Sequence, residues 1–301
     1  MILVGLVLLL ALILPGLPLG NWRAFALDTA QFAFIITGLA LSWDLLARTG
    51  QLSLAHGAFF GLGAYAAALT SPLLGTVPAL LVGMIVAALG SLILGLTTLR
   101  LQGMYFAIAT LAFSEVMRTF VLKAPFTGGA IGMIVAPAFG GKLPLGSYYL
   151  AVAVLVICTF TSLLVSRSRL SYAMAATRQG EAVARVLGVA VVRVKLMAFL
   201  ISSALAGLAG GVYAMKTLFL SPYDAFSLAR AVEALVIPIF GGLYTTLGPV
   251  LGGIGLVSLE TWLRLQIGEG YLVVYGVLLI AAILFLPKGL AGLRLKLGKN
   301  A

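Results

Sequence analysis

The sequence predicts an all-α, polytopic membrane bundle of about ten spanning helices. Three observations carry that expectation. Hydrophobic residues make up 62% of the 301 and charged residues 9%, whereas a soluble domain needs roughly 25% charged residues to cover its surface. Apolar stretches of the ~20 residues that cross a bilayer recur from end to end. The Lys and Arg residues are gathered into a few segments rather than spread along the chain. No polar stretch is long enough for a separate soluble domain, so residues 1–301 read as one membrane domain.

Apolar runs and their Gly, Pro or charged breakers place the spans near 2–19, 29–47, 55–71, 77–99, 104–122, 148–166, 197–218, 229–243, 248–264 and 271–286. The first run precedes Ala24-Phe25-Ala26, which resembles a small-residue cleavage site. No Lys or Arg stands before it, however, so a signal peptide's positive n-region is missing and a first spanning helix is expected. The third, eighth and ninth runs are short or Gly-rich, which leaves the count between eight and ten. The sixth holds the only cysteine, Cys158. It cannot form an intrachain disulfide, and one thiol makes a poor metal site, so it reads as a small residue facing lipid or a helix.

Charge orients the bundle. The net charge of +11 fits Lys and Arg collected on the cytoplasmic side against anionic headgroups, and no nucleic-acid partner is needed to explain it. The most basic loop, 167–195, carries Arg167, Arg169, Arg178, Arg185, Arg193 and Lys195, and the tail adds Lys288, Arg294, Lys296 and Lys299. Four spans separate the two, so both lie on one side. The positive-inside bias makes that side cytoplasmic, with both termini, Arg48 and Arg100 there too. Twelve of the 19 basic residues then face inward.

Gly50, Leu52, Gly57 and Gly61 share their spacing with Gly241, Leu243, Gly248 and Gly252. This is either a weak internal repeat, common in transporters whose pathway lies between repeats, or chance in a Gly- and Leu-rich chain. The four-residue spacings Gly57/Gly61, Gly207/Gly211 and Gly248/Gly252 predict close helix packing, because small residues let backbones approach in lipid.

Charges inside a membrane are costly, so each acid needs an account. Asp44/Arg48, Glu115/Arg118, Arg230/Glu233 and Glu260/Arg264 sit at helical spacing and can neutralise themselves. Glu181/Arg185 repeats the pattern in the basic loop. Asp28, Asp224 and Glu269 fall in expected extracytoplasmic loops. With no carboxylate standing alone, an ion-driven carrier is disfavoured. Glu115 lies about 17 Å along its helix from Met104, as a structural pair with Arg118 or as a polar lining of a solute path. His56, the only histidine, reads as packing or capping before substrate contact.

Catalytic sets such as H-E-x-x-H or G-x-S-x-G are absent. Gly210–Thr217 ends in Lys216-Thr217 but has Met215 where a P-loop requires glycine. If ATP powers this protein, another chain binds it.

Several segments carry a family pattern. Gly50-Gln-Leu-Ser-Leu-Ala-His-Gly-Ala-Phe-Phe-Gly-Leu-Gly-Ala-Tyr65, Gly103-Met-Tyr-Phe-Ala-Ile-Ala-Thr-Leu-Ala-Phe113, the stretch Ala173–Tyr213 and the ending Leu286-Pro-Lys-Gly-Leu290 occur in the expected order. Together they resemble the permease subunits of branched-chain amino acid ABC importers, of the second of the two permease types in each transporter.

Within the third segment, Glu181-Ala-Val-Ala-Arg-Val-Leu-Gly188 reads as a short amphipathic helix ended by a glycine cap. The resemblance implies that this segment, within a cytoplasmic coupling loop of about 167–196, docks on an ATPase subunit. Ala182, Ala184 and Leu187 would make the contacts, and Arg178, Glu181 and Arg185 the polar rim, up to Gly188. Glycine lies seven positions after Glu181 and Val183 replaces the second alanine of the general E-A-A form, as in this family's own variant. Family members often carry polar residues in the loop after the fifth span, where Thr127-Gly-Gly-Ala-Ile-Gly132 has Ala130 and Ile131.

The resemblance implies a non-catalytic permease in a bacterial inner membrane that imports branched-chain or related amino acids. The partners would be a homologous permease, two cytoplasmic ATPases that bind ATP and its magnesium ion, a periplasmic binding protein and membrane lipid; this chain would hold no cofactor. Gln51, Ser53, His56, Tyr105, Glu115 and Thr127 are the candidate path residues. The rival classes are an ion-driven carrier or uniporter, and, remotely, an intramembrane enzyme.

Overall fold

The computed structural model describes residues 2–18, 20–143, 145–285 and 289–290. The expected tail residues Lys288, Arg294, Lys296 and Lys299 lie outside them. Thirteen α-helices account for most of the described residues: α1 (Ile2–Ile13), α2 (Arg23–Ala47), α3 (His56–Leu74), α4 (Thr76–Thr98), α5 (Gly103–Lys123), α6 (Gly146–Arg167), α7 (Arg169–Gln179), α8 (Glu181–Val186), α9 (Val191–Thr217), α10 (Pro222–Ala225), α11 (Leu228–Gly241), α12 (Leu247–Ile267) and α13 (Tyr271–Phe285). The one described β element pairs Met133–Ile134 with Phe219–Leu220, two residues each, antiparallel.

Every expected span corresponds to a helix, yet ten full crossings are not what the structure shows. Six helices, α2 to α6 and α9, are long and apolar enough to cross a membrane. The other four differ for separate reasons. α1 has 12 residues, about 18 Å at 1.5 Å per residue, because Pro15 and Gly16 turn the chain into a 3-10 helix. α11 has 14 residues and α13 has 15. α12 has 21 but contains Glu260 and Arg264.

The centre is built by α3, α4 and α9, with α2 against α6, α9 and α12. Lipid offers no hydrophobic drive for helices to associate, so close backbone approach has to hold them. Gly63, Gly83 and Gly207 supply it. A Cβ on Gly83 would stand 2.7 Å from the Gly63 carbonyl, one on Gly207 2.8 Å from the Gly83 carbonyl, and one on Gly63 would collide with the backbone of Gly207. The three spaced glycine pairs also pack: Gly61 against the Phe226 ring and Gly252 against α11. Cys158 is fully buried, facing Gly38 of α2.

Helix directions alternate, so loops collect at two ends. At one end Lys216 of α9 pairs with Asp28 at 2.7 Å, and Phe139 N–H donates to Thr76 Oγ1. Asp28 therefore sits inside α2, not in a loop. Asp224 lies in α10, and Glu269 in the 3-10 turn Gly268–Gly270. At the other end are α7, α8 and the loops 48–55 and 242–246.

Candidate functional site

The segment expected as a basic loop over 167–195 is mostly helical. Gly180 breaks it into α7 and α8, and α9 begins at Val191, so Arg193 and Lys195 belong to a long helix. The glycine cap is realised in full. Leu187 ends α8, Gly188 has φ +82, Gly188 N–H donates to Arg185 O at 3.0 Å and Val189 N–H to Ala184 O at 2.9 Å. Those two bonds are the 5→2 and 6→1 bonds of a Schellman motif, which needs a left-handed residue at that point.

The contact face differs from the expectation. Ala184 is 1% exposed and faces its own bundle, so it is not available to a partner; Ala182 and Leu187 are exposed as expected. Val186 at 87%, Leu187 at 71% and Val183 at 65% make the outward apolar face. On this six-residue helix, packed against α7 and α9, Ala184 is the residue turned inward. Val183 and Val186 stand three apart, a signal visible in the sequence once the helix is accepted.

The rim also differs. Arg185 is exposed, but Glu181 points back, bonding Arg185 at 3.1 Å and the buried Lys195 ammonium of α9. Arg178 lies 3.8 Å from the centroid of the Tyr244 ring. Of the three expected rim residues only Arg185 is exposed, and it is paired with Glu181. Lys195 and Tyr244 were missed because both partners are distant in sequence.

Beneath α7 sits a buried polar hub. Asp44, wholly buried, accepts from Arg48 at 3.0 Å and from Tyr244 N–H at 2.7 Å. Arg48 also donates to Ser162 Oγ at 2.7 Å, and Ser162 Oγ lies 2.8 Å from Thr246 Oγ1. A buried pair of this kind is stable only when its remaining lone pairs and protons are satisfied.

The six candidate path residues do not converge. Ser53 Oγ accepts from Ala55 N–H and its carbonyl from Trp43 Nε1, shaping the start of α3. Gln51 is buried. His56 is wholly buried with Nε2 2.7 Å from Ser202 Oγ. Thr127 is buried and donates to Val121 O and Ala124 O, capping α5. Tyr105 and Glu115 remain, both on α5, the least buried of the six spanning helices. Glu115 pairs with Arg118 at 2.6 Å while both stay partly exposed. Glu115 borders an open depression of about 660 Å³ with Val116, Thr119, Phe120 and Lys123.

Of the other expected pairs, Arg230/Glu233 forms at 2.8 Å. None of the described ion pairs joins Glu260 to Arg264; Arg264 is one of the charges around Glu260, together with Glu233, Arg230 and the Tyr271 hydroxyl. Self-pairing therefore accounts for three of the four intramembrane pairs.

The family described as "Branched-chain amino acid transport system / permease component" matches residues 25–283. The chain is 30% identical over 293 residues to the high-affinity branched-chain amino acid transport system permease protein LivM of Salmonella typhimurium and to that of Escherichia coli, covering 87% of this chain and 68% of each relative. It is also 33% identical over 170 residues to the autoinducer 2 import system permease protein LsrC of Klebsiella pneumoniae, covering 52% of this chain and 47% of that protein. No solved structure matches it.

Proposed function

Since the chain belongs to the family of branched-chain amino acid transport system permease components, we propose that it is the pore-forming permease of an ATP-driven importer for branched-chain or related amino acids. The observation that carries this reading is the α7–α8 segment. It is a capped, tethered helix whose Val183, Val186 and Leu187 stand in water at the end of a membrane bundle. An exposed apolar face rimmed by charge marks an interaction site. The partner that fits is a cytoplasmic ATPase, since the one P-loop-like stretch of the sequence, 210–217, lacks the glycine that cradle requires. Residues 210–217 are helix, and Met215 is buried in α9.

The path runs along α5. A mid-span ion pair is unfavourable against lipid and normally faces protein or a water-filled route. Glu115 and Arg118 therefore face the homologous permease and the pathway between the two. Their opposite charges complement the ammonium and carboxylate of an amino acid, and Val116 and Phe120 complement its apolar side chain. A periplasmic binding protein would deliver that cargo at the end bearing the loop 124–145. The membrane would be the bacterial inner membrane, with the α7–α8 end and both termini cytoplasmic.

Purification from native membranes in mild detergent tests the reading. A second permease and P-loop ATPases should co-purify, and proteoliposomes of the complex should take up leucine, isoleucine or valine with ATP, regardless of ion gradients. The double variant Val186→Glu/Leu187→Glu should insert normally but lose the ATPases. A chain that emerges alone and transports along an ion gradient would make it a secondary carrier instead.

A further inference from the structure

The loop joining α11 to α12 is held in an unfavourable conformation by residues from elsewhere. Tyr244 has φ +64, a left-handed backbone that a residue with a Cβ avoids unless its surroundings over-determine it. Two contacts do so: its N–H donates to Asp44 of α2, and its ring carries the Arg178 guanidinium of α7. Thr246 two residues on is bonded to Ser162 of α6, and Gly289 packs against the backbone of Gly241 and Gly242.

Arg178 also reaches the other copy of the repeated glycine pattern. A Cβ on Gly50 would lie 3.3 Å from Arg178 Cα, so α7 ends against the loop 48–55 as well. One residue thus touches both helix-joining loops, 48–55 and 242–246. It sits two residues before Gly180, where α7 gives way to α8.

We propose that Arg178, Tyr244 and Asp44 form a latch that carries movement of the α7–α8 segment into those two loops, with Arg178 as its positioning residue. This rests on the importer reading above. A load applied to α8 reaches α7 across Gly180. The Arg178 guanidinium then either stays stacked, holding Tyr244 in its left-handed state, or leaves the ring. Once it leaves, one of the two restraints on the strained backbone is gone, and the start of α12 is free to shift relative to α2. Arg178 is half-buried and Tyr244 is 42% exposed, so water can replace the stack at modest cost. Asp44–Arg48 stays shut, because opening it would strand a buried charge.

The test uses the complete transporter in liposomes, reading leucine carried per ATP hydrolysed beside the amount of ATPase retained through purification. Arg178→Ala should keep the ATPases and their hydrolysis but lower leucine per ATP by about tenfold or more, with Arg178→Lys giving partial recovery. Tyr244→Phe should behave as wild type. Tyr244→Gly relieves the strained φ, so it folds, yet it should uncouple as Arg178→Ala does. Unchanged leucine per ATP in both Arg178→Ala and Tyr244→Gly would overturn the latch. Loss of the ATPases from Arg178→Ala would also overturn it, by making Arg178 a docking contact. A wild-type complex without ATP-dependent uptake would instead fail the importer reading itself, and the latch with it.

Discussion

Glu181 shows how a single residue changes meaning between sequence and structure. Its i,i+4 spacing to Arg185 is legible and the pair forms. The Lys195 bond is not legible, because fourteen residues and a reversal of chain direction separate the partners. That second bond pins α8 to α9 and shelters an ammonium that is 1% exposed. Glu181→Gln should leave the ammonium without a charged partner, costing about 1–3 kcal/mol. Amide exchange across 181–188 should then rise by about tenfold, equivalent to about 1.4 kcal/mol. Exchange unchanged from wild type would show that the Lys195 bond does not hold the helix.

Between elements, packing rests on glycine. The four-residue spacings were readable as close packing, and the structure adds which helices meet: Gly63, Gly83 and Gly207 bring three backbones together at the centre. Gly207→Ala would place a Cβ 2.6 Å from that of Ala87. Overpacking of that kind costs about 1–3 kcal/mol and should lower the melting temperature in detergent. Gly255→Ala is the control, because nothing lies within 4 Å of its position and alanine favours helix by about 1 kcal/mol. Equal melting temperatures for the two variants would mean that the central contact is not tight. The short length of α1 was not readable, since apolar residues continue past the Pro15 and Gly16 that end it.

At the scale of the whole molecule the two ends differ in structure. One end holds α7, α8 and the polar hub; the other carries the loop 124–145, the strand pair and the Asp28–Lys216 link. A labelling experiment checks the arrangement against a low background, because the single native thiol, Cys158, is wholly buried. A membrane-impermeant thiol reagent should reach Arg185→Cys only from the cytoplasmic side and Lys142→Cys only from outside. Thr119→Cys on α5 should react in the assembled complex if that face lines a water-filled path. Inert Thr119→Cys would place the face against lipid or a dry interface and move the path elsewhere.

The class of solvent, the apolar runs, the family and the capped helix at 181–188 are all legible along the linear chain. Each of these depends on local pattern: hydropathy over ~20 residues, charge bias in loops, or a glycine at the end of a short helical run. Tertiary structure alone decided which polar residues are accessible. Gln51, Ser53, His56 and Thr127 look like path residues in a linear reading because polar side chains are scarce here. In the fold all four are buried, and Ser53, His56 and Thr127 bond to neighbouring groups of the bundle. Glu115 and Arg118 keep part of their surface because α5 packs lightly on the bundle. The hub at Asp44 assembles α2, α6, α7 and the loop 242–246 across up to 200 residues. Proximity at that range is a property of the fold, which no spacing along the chain encodes.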